Sequence, residues 1–275
     1  MAQPAPRTSP HTTTTTLEYA VDRTLAYFAL FSYVPSSWET HRYLHGLQAS
    51  SEQVRRALHR HHLPPIGEGS GCPASPEAPL PRLDPAREAG LTRVRRYGRI
   101  LGYFPFARMI GLTGSRAMKG SELDDVDLMI VSAPGRVWLC RLGMVVAVRL
   151  ARLAGDRLCP NYVVSANCLD LPEMTIYDAH ELAQMIPLYG GVTYRALWAR
   201  NPAVFDLLPN ACPFPDPADR PLIGLNSLKS ALERLLTGHL GDKLERWEYN
   251  RKVARLRRQG VLSPEISLTA DQCKG

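Results

Sequence analysis

Two apolar runs joined by a glycine–serine pair and an acidic cluster constrain this chain more than any other feature. They lie in the segment MIGLTGSRAMKGSELDDVDLMIV, residues 109–131. The first run is centred on Ile110 and the second begins at Val126, and both have the length and composition of buried strands. Between them, Gly114 and Ser115 predict a tight turn followed by about two helical turns. The segment is therefore predicted to form a strand, a turn with a short helix, and a second strand.

Two carboxylates stand at the start of the second strand. Asp125 and Asp127 leave the same side of it, because side chains two residues apart share a face. Ionised carboxylates this close repel each other, and burying them without a partner is unfavourable or forces proton uptake. A divalent cation relieves the repulsion, and oxygen ligands from few residues suit Mg²⁺, which adds water and substrate phosphate oxygens. The pair therefore predicts a magnesium site that holds a nucleotide.

The glycine–serine turn favours the same ligand. Gly114 has no Cβ, so the backbone can approach a phosphate closely, and Ser115 stands where a helix begins with free N–H groups. Two basic side chains follow in the same segment, and Arg116 and Lys119 are candidate phosphate ligands. One loop thus offers anion donors, and the next strand offers metal ligands.

These residues resemble the signature of the nucleotidyltransferases of the DNA polymerase β superfamily. That signature is an apolar residue, Gly, Gly or Ser, a short gap, and then acid, apolar, acid, apolar. Here Gly114-Ser115 is followed by nine residues and then by Asp125-Val126-Asp127-Leu128. The chain from residue 17 to residue 257 is also similar to a bacterial branch of the superfamily with an N-terminal helix-turn-helix-like module.

The resemblance implies a fold and a set of ligands. The fold would be α/β (α+β), a short mixed nucleotidyltransferase sheet flanked by helices. Asp125 and Asp127 would bind the metal ions that carry an NTP, with ATP the favoured one, and Gly114 and Ser115 would hold its β- and γ-phosphates. The metal would be Mg²⁺, with Mn²⁺ as a substitute.

In that family a third acid on a later strand helps to activate the attacking hydroxyl. Asp170 has apolar neighbours on both sides in the sequence CLDL, so it is the candidate for this role. Glu173 and Glu181 are the alternatives. Without a third acid, the site would bind nucleotide and metal but catalyse slowly or not at all.

Other interpretations of the acidic pair remain open. An Asp-x-Asp pair also binds sugar nucleotides in metal-dependent glycosyltransferases, although these do not require a glycine–serine turn upstream. A calcium loop is disfavoured, because DDVDLMIV lacks the glycine and glutamate that such loops need and becomes apolar where ligands should stand. Asp125 and Asp127 can also be ordinary residues at the end of a strand.

Pro/Gly-rich and low-complexity stretches predict the domain organisation. The divisions are a disordered tail at 1–16, a helix-turn-helix-like module at 17–62, a linker or wing at 63–85, a catalytic domain at 86–189, a C-terminal helical region at 190–262 and a flexible tail at 263–275. The C-terminal helices are expected to cover the open face of the sheet and to shape the acceptor pocket.

The N-terminal module has two interpretations. Three short helices in this rhythm are typical of a three-helix or winged-helix domain that binds DNA or RNA, but a bundle used only for packing has the same pattern. Its third helix carries Arg55, Arg56 and Arg60, which either meet phosphates or face water.

Composition excludes few partners. The chain has 275 residues, 45% of them hydrophobic, and a net charge of +7, which attracts anions such as NTP, nucleic acid or an acidic surface. Six cysteines without Cys-x-x-Cys or Cys/His zinc spacing, and no signal peptide, predict the cytoplasm. Three arginines interrupt the most apolar stretch, Val137 to Leu153, so a buried helix is predicted there and no membrane span.

The sequence therefore predicts a Mg²⁺-dependent enzyme that moves a nucleotidyl group from an NTP to a hydroxyl of an acceptor and releases pyrophosphate. The acceptor, which is a small molecule, a nucleic acid or a protein, is not specified, because one fold serves many acceptors. Two alternatives are a nucleotide-sensing regulator that binds nucleic acid, and an enzyme of this fold recruited to activate a small molecule in a pathway.

Overall fold

The structure is a computed structural model that describes part of the chain. Its described residues are 10–60, 85–119, 125–153, 155–171, 173–217, 223–259 and 272–274, with the backbone alone described for 10–15, 85–89, 119, 223 and 272–274. They fall into two compact units. The helical unit takes its described residues from Met1–Arg82, Met174–Ala183 and Pro202–Pro213, and the sheet unit from Leu83–Glu173, Gln184–Asn201 and Phe214–Gly275. The helical unit thus includes two segments that lie far from the N-terminus in sequence.

The sheet unit is built on a mixed β-sheet, so the predicted combination of helices with a short mixed sheet is confirmed. Its strands are β1 (Ala107–Thr113), β2 (Val126–Ser132), β3 (Leu158–Ser165), β4 (Ile186–Tyr189) and β5 (Gln272–Lys274). The strand order is β4-β1-β2-β3-β5. The β2–β3 pair is parallel, whereas the β1–β2, β1–β4 and β3–β5 pairs are antiparallel. The strand that carries Asp127 therefore lies inside the sheet, between β1 and β3.

The alternation of side chains along β1 and β2 divides the sheet into two faces. Ile110 pairs with Ile130 and Leu112 pairs with Leu128, and all four side chains belong to the main hydrophobic core of this unit. Asp127 is offset by one residue from this series and therefore leaves the opposite face. The apolar residues of the strand are thus buried while its carboxylate stays out of the main core.

Six helices of the sheet unit lie in the described part of the chain. Their bounds are α4 (Pro85–Gly102), α5 (Gly114–Lys119), α6 (Val137–Leu153), α8 (Gly191–Arg200), α10 (Ile223–Leu236) and α11 (His239–Gln259). The span of α6 is the one predicted, and its buried residues include Val137, Trp138 and Met144. Among the described residues, no helix has both the length and the apolarity needed to cross a membrane.

Helix α10, in the C-terminal helical region, is attached at the start of β1. The ammonium group of Lys229 on α10 donates hydrogen bonds to the carbonyl oxygens of Gly102 and Ala107 at 2.7 Å. Glu233, one turn later, pairs with Arg108 at 2.8 Å. These contacts hold α10 at the start of β1, about 20 Å from the glycine turn at the other end of this seven-residue strand. The role of the C-terminal helical region in shaping an acceptor pocket stays a prediction.

One strand differs from the prediction. β4 is not among the strands predicted from the sequence: helix α7 (Ile176–Gln184) ends at Gln184, and β4 follows almost directly. β4 is almost entirely buried beside β1. Pro187 cannot donate a ladder hydrogen bond, which suits this short strand at the edge of the sheet.

The described part of the helical unit consists of helices around its own core. Their bounds are α1 (Pro10–Ala29), α2 (Ser37–Arg42), α3 (Ser51–Arg60), α7 (Ile176–Gln184) and α9 (Val204–Leu207). Ser36 begins α2 with a capping box, in which its hydroxyl accepts from the Glu39 N–H and the Glu39 carboxylate accepts from the Ser36 N–H. The core joins α1 to α3 through Val21, Leu44 and Val54. The first helix begins at Pro10, inside the segment expected to be disordered.

The arginines of α3 are all in ion pairs. Arg55 and Arg56 contact the carboxylate of Glu52 at 2.6 Å and 2.7 Å, and Arg60 contacts Glu18 at 2.9 Å. Exposed pairs of this kind contribute little to stability, but each one satisfies a guanidinium group within the helical unit. This arrangement favours a solvated helix face over a phosphate-binding one.

Two buried histidines face each other in the helical unit. The Nε2 atoms of His45 and His180 are 2.9 Å apart, and the ring of Tyr27 stacks on His180 at 3.8 Å. This contact needs one ring nitrogen to donate and the other to accept, so at least one of the two rings is neutral. Burial lowers the pKa of His45 to about 4, and burial with the neighbouring His45 lowers the pKa of His180 to about 3.

We expect the helical unit to lose stability between pH 6.5 and pH 4. In this range the unfolded chain binds protons on both histidines and the folded chain does not, so the free energy of unfolding falls as the pH is lowered. The loss from pH 7 to pH 5 should be on the order of 2 kcal/mol for each histidine. Urea unfolding followed by circular dichroism at both pH values measures it.

The matched control for this prediction is His59→Gln, which removes an exposed histidine from α3. His45→Gln/His180→Gln should flatten the pH dependence, whereas His59→Gln should leave it as in the wild type. Equal slopes in the wild type and the double variant would contradict the prediction.

Candidate nucleotide and metal site

The glycine–serine turn lies directly against the second carboxylate of the pair. Gly114 follows β1 with a φ of +70°, and Thr113 before it pairs with Asp127 across the β1–β2 ladder. A Cβ on Gly114 would lie 2.6 Å from Oδ2 of Asp127 and 3.2 Å from its Cβ and Cγ. Glycine is therefore required here both by the left-handed backbone and by the closeness of the carboxylate. Residues 13 positions apart in sequence thus meet at one end of the sheet.

A thiol lies beside Asp127 on the next strand. In the parallel β2–β3 register Asp127 is opposite Cys159, and the Cys159 thiol donates a hydrogen bond to the Asp127 carboxylate. Burial raises the pKa of this thiol, and the negative charges of Asp127 and Asp125 raise it further. Cys159 is therefore a protonated donor that fixes the orientation of Asp127 from the β3 side.

Asp125 has a more open environment. It precedes β2 by one residue, and about half of its side chain is exposed. The guanidinium group of Arg157 is 4.0 Å from its Oδ1, and both side chains face solvent. Such a pair is weak, so the Asp125 carboxylate is accessible to a cation.

One of the two basic residues of the turn, Arg116, is buried. Arg116 lies in α5 and is only 6% exposed, whereas an open phosphate-binding turn calls for an accessible guanidinium group. Ser115 is half-buried at the first turn of α5. The side chain of Lys119 and the whole of residues 120–124 lie outside the described residues, so the predicted role of Lys119 stays a prediction.

The structure does not bring Asp170 to this site. Asp170 follows β3, which runs six residues from Cys159, the neighbour of Asp127, to Ser165, a distance of about 20 Å. There it is exposed and pairs with Arg200 at 3.2 Å. Because β2 and β3 are parallel, the last residues of β3 lie beside the last residues of β2, at the other end of the strands from Asp127.

Neither of the two alternative acids belongs to β3, the strand that pairs with Asp127. Glu173 follows Asp170 in an exposed bend with a φ of +53°, and Glu181 belongs to α7. The strand beside Asp127 reads LCPNYVVS and contains no carboxylate. Asp156, two residues before that strand, is already bound by Arg93 at 2.8 Å and by the Tyr97 hydroxyl.

The donor atoms present fit a hard divalent cation that brings further ligands with it. Within the described part of the chain, no group of three or more His, Cys, Asp and Glu side chains could hold a metal by itself. Two neighbouring carboxylates nevertheless match the usual protein contribution to a Mg²⁺ site, because this ion takes its other ligands from water and substrate phosphates. Asp125 and Asp127 would hold Mg²⁺ in this way, together with a nucleotide.

A cleft next to the pair was not predicted from the sequence. It has a volume of about 620 Å³ and lies between the end of α6, the loop before β3 and the first residues of β3. Asp125, Cys159, Arg152 and Arg157 are among its lining residues. The sequence signal for it was weak, because neither the start of β3 at Leu158 nor its register with β2 follows from hydrophobic pattern.

Comparison with protein-family models, with curated proteins and with solved structures finds no match for this chain.

Proposed function

We propose that this chain is a Mg²⁺-dependent nucleotidyltransferase that moves a nucleotidyl group from an NTP to an acceptor hydroxyl. The observation that carries the proposal is the contact between the Gly114 turn and the Asp127 carboxylate, with Asp125 two residues away. A left-handed glycine turn and two carboxylates that suit a divalent cation then stand together, which supports the binding of a metal–triphosphate. The mixed sheet with an antiparallel β1–β2 pair supports a nucleotidyltransferase fold as part of this proposal.

Different residues bind the phosphates and the metal ion. The backbone at Gly114 and the Ser115 hydroxyl hold the β- and γ-phosphates, and Asp125 and Asp127 hold the cation. Bound Mg²⁺ would neutralise charge on the triphosphate and on the departing pyrophosphate. Cys159 positions Asp127 through its thiol hydrogen bond.

The proposed reaction is a direct transfer and needs no covalent enzyme intermediate. The acceptor oxygen forms a bond to the α-phosphorus, the bond from this phosphorus to the pyrophosphate oxygen breaks, and the hydroxyl proton passes to water. Because Cys159 stands where β3 is nearest to Asp127, a third carboxylate has no part in the proposal. The reaction is therefore expected to be slow compared with enzymes that have a general base.

The absence of a carboxylate in β3 favours a second candidate function. In this alternative the same site binds Mg²⁺–NTP and reports its presence without transferring it. Binding with no turnover would support the sensor, and binding with pyrophosphate release would support the transferase.

Metal-dependent NTP binding is the first test. Titration calorimetry with each of the four NTPs, with and without Mg²⁺, should show binding by the wild type only with the metal. Removing both charges in Asp125→Asn/Asp127→Asn should weaken this binding by tenfold or more. Mutating residues that only support metal ligands already lowers metal affinity by about that factor. ATP is expected to bind best.

Asp170→Asn is the matched control for these titrations, because it removes an exposed carboxylate at the other end of β3. It should bind Mg²⁺–ATP as the wild type does. A wild type that binds none of the four NTPs would remove the proposal.

A further inference from the structure

The cleft beside Asp125 has the size and chemistry of a small-molecule site. Its volume of about 620 Å³ lies in the range of pockets that enclose small ligands. Val148, Leu158 and Pro160 give it an apolar wall, and Arg152 and Arg157 give it two guanidinium groups. An apolar wall with a few charged groups is the usual composition of such a site.

The strand order places this cleft and the glycine turn on different sides of the acidic strand. β2 lies between β1 and β3. The Gly114 turn follows β1, whereas the cleft is formed by the first residues of β3 and the loop before them. In an in-line displacement the attacking and leaving oxygens stand on opposite sides of the phosphorus. A triphosphate held at the β1 side would therefore leave the β3 side for the attacking hydroxyl.

The charged side chains that line the cleft favour an anionic ligand. Four charged side chains line it, two acidic and two basic. Asp156 is 8% exposed and is neutralised by Arg93, which pairs with it at 2.8 Å. Asp125 faces Arg157 across 4.0 Å in a weak, exposed pair, and a cation bound to Asp125 would compensate its charge instead. Arg152 and Arg157 then remain as exposed positive groups.

We propose that this cleft binds the acceptor, and that the acceptor is a small molecule with a hydroxyl and an anionic group, either phosphate or carboxylate. The inference rests on the proposed nucleotidyl transfer and specifies its second substrate. Arg152 and Arg157 bind the anionic group, since the guanidinium fork matches the oxygens of both phosphate and carboxylate. The apolar wall accommodates the carbon chain, and the hydroxyl points to the Asp125 end of the cleft.

The test uses the full chain with Mg²⁺ and α,β-methylene-ATP, an analogue that cannot be transferred. Glycerol 3-phosphate, glycerate, glycerol and a short oligonucleotide are each titrated into this complex by calorimetry. We expect glycerol 3-phosphate or glycerate to bind and uncharged glycerol not to bind. The better of the first two identifies the anionic group.

Substitutions of the two cleft arginines test whether the anionic probe binds in the cleft. Arg152→Gln and Arg157→Gln should each raise the dissociation constant of the anionic probe at least tenfold. Each should change the dissociation constant of the ATP analogue less than twofold. Arg200→Gln is the matched control, because Arg200 is also exposed but pairs with Asp170 outside the cleft. It should bind both the probe and the analogue as the wild type does.

Four outcomes overturn the inference. Loss of analogue affinity in the two cleft variants with the probe unaffected would place the triphosphate in the cleft. Binding of the oligonucleotide alone would indicate a polymeric acceptor. Binding of the analogue without either anionic probe would reject the cleft and leave the transferase proposal standing. A wild type that does not bind the analogue would reject the proposed function itself.

Discussion

Asp127→Asn is expected to abolish nucleotidyl transfer, with pyrophosphate release from Mg²⁺–ATP falling by about 10²–10³-fold or more, as loss of a group that acts on transition-state charge does. The substitution keeps the shape of the side chain and removes its charge. The Cys159 thiol can donate to the amide oxygen as it does to the carboxylate, so the fold should be retained. Pyrophosphate release with glycerol 3-phosphate as acceptor and the thermal unfolding temperature measure the two effects.

Asp170→Asn serves as the control for this rate measurement as well, since it removes a carboxylate of the same unit in an exposed ion pair. Its rate should equal that of the wild type. Unchanged turnover in Asp127→Asn would reject the catalytic role of the pair. A wild type that binds Mg²⁺–ATP but releases no pyrophosphate would favour the nucleotide sensor.

Gly114→Ala is expected to disrupt the site and to destabilise the sheet unit. The residue has a φ of +70°, and a new Cβ would lie 2.6 Å from Oδ2 of Asp127. The backbone strain alone costs about 1–2 kcal/mol, and the contact pushes the carboxylate away from its position in addition. Affinity for Mg²⁺–ATP, measured by calorimetry, should fall about tenfold or more as the metal ligand moves.

Gly135→Ala separates these two effects. Gly135 has nearly the same backbone conformation, with a φ of +65°, but a Cβ there would meet nothing within 4 Å. It should show the loss of stability from strain and keep the affinity for Mg²⁺–ATP. If both variants lose the same stability and keep the same affinity, the contact between Gly114 and Asp127 has no functional role.

Local pattern was enough to predict the strands around the site. The apolar runs at Ile110 and Val126 identify β1 and β2, because both strands are buried along almost their whole length. The long apolar stretch from Val137 to Leu153 coincides with α6. β4 was missed because its residues continue a helical spacing from Ile176. Only its pairing with β1 makes Ile186 to Tyr189 a strand, and such pairing is a tertiary effect that short-range pattern does not contain.

The site was predictable where it depends on short sequence separation. Gly114 follows Thr113, which pairs with Asp127 between two consecutive antiparallel strands, so the meeting of Gly114 and Asp127 follows from the β1–β2 pair. The neighbour on β3 was not predictable, because a shift of one residue in the β2–β3 register would exchange every facing residue. The register places Cys159 beside Asp127 and puts Asp170 beyond the far end of the strand.

The position of β2 inside the sheet has a consequence for how the two carboxylates respond to a ligand. Asp127 belongs to a strand bonded on both sides, so its backbone can shift only if ladder hydrogen bonds to β1 or β3 open, which in a buried strand happens rarely. Asp125 stands one residue outside the strand and is free of both ladders. One carboxylate is thus a fixed reference point, and the other can adjust its distance to the ion as the substrate enters. This combination makes binding little dependent on reorganisation of the sheet while it tolerates ligands of different size.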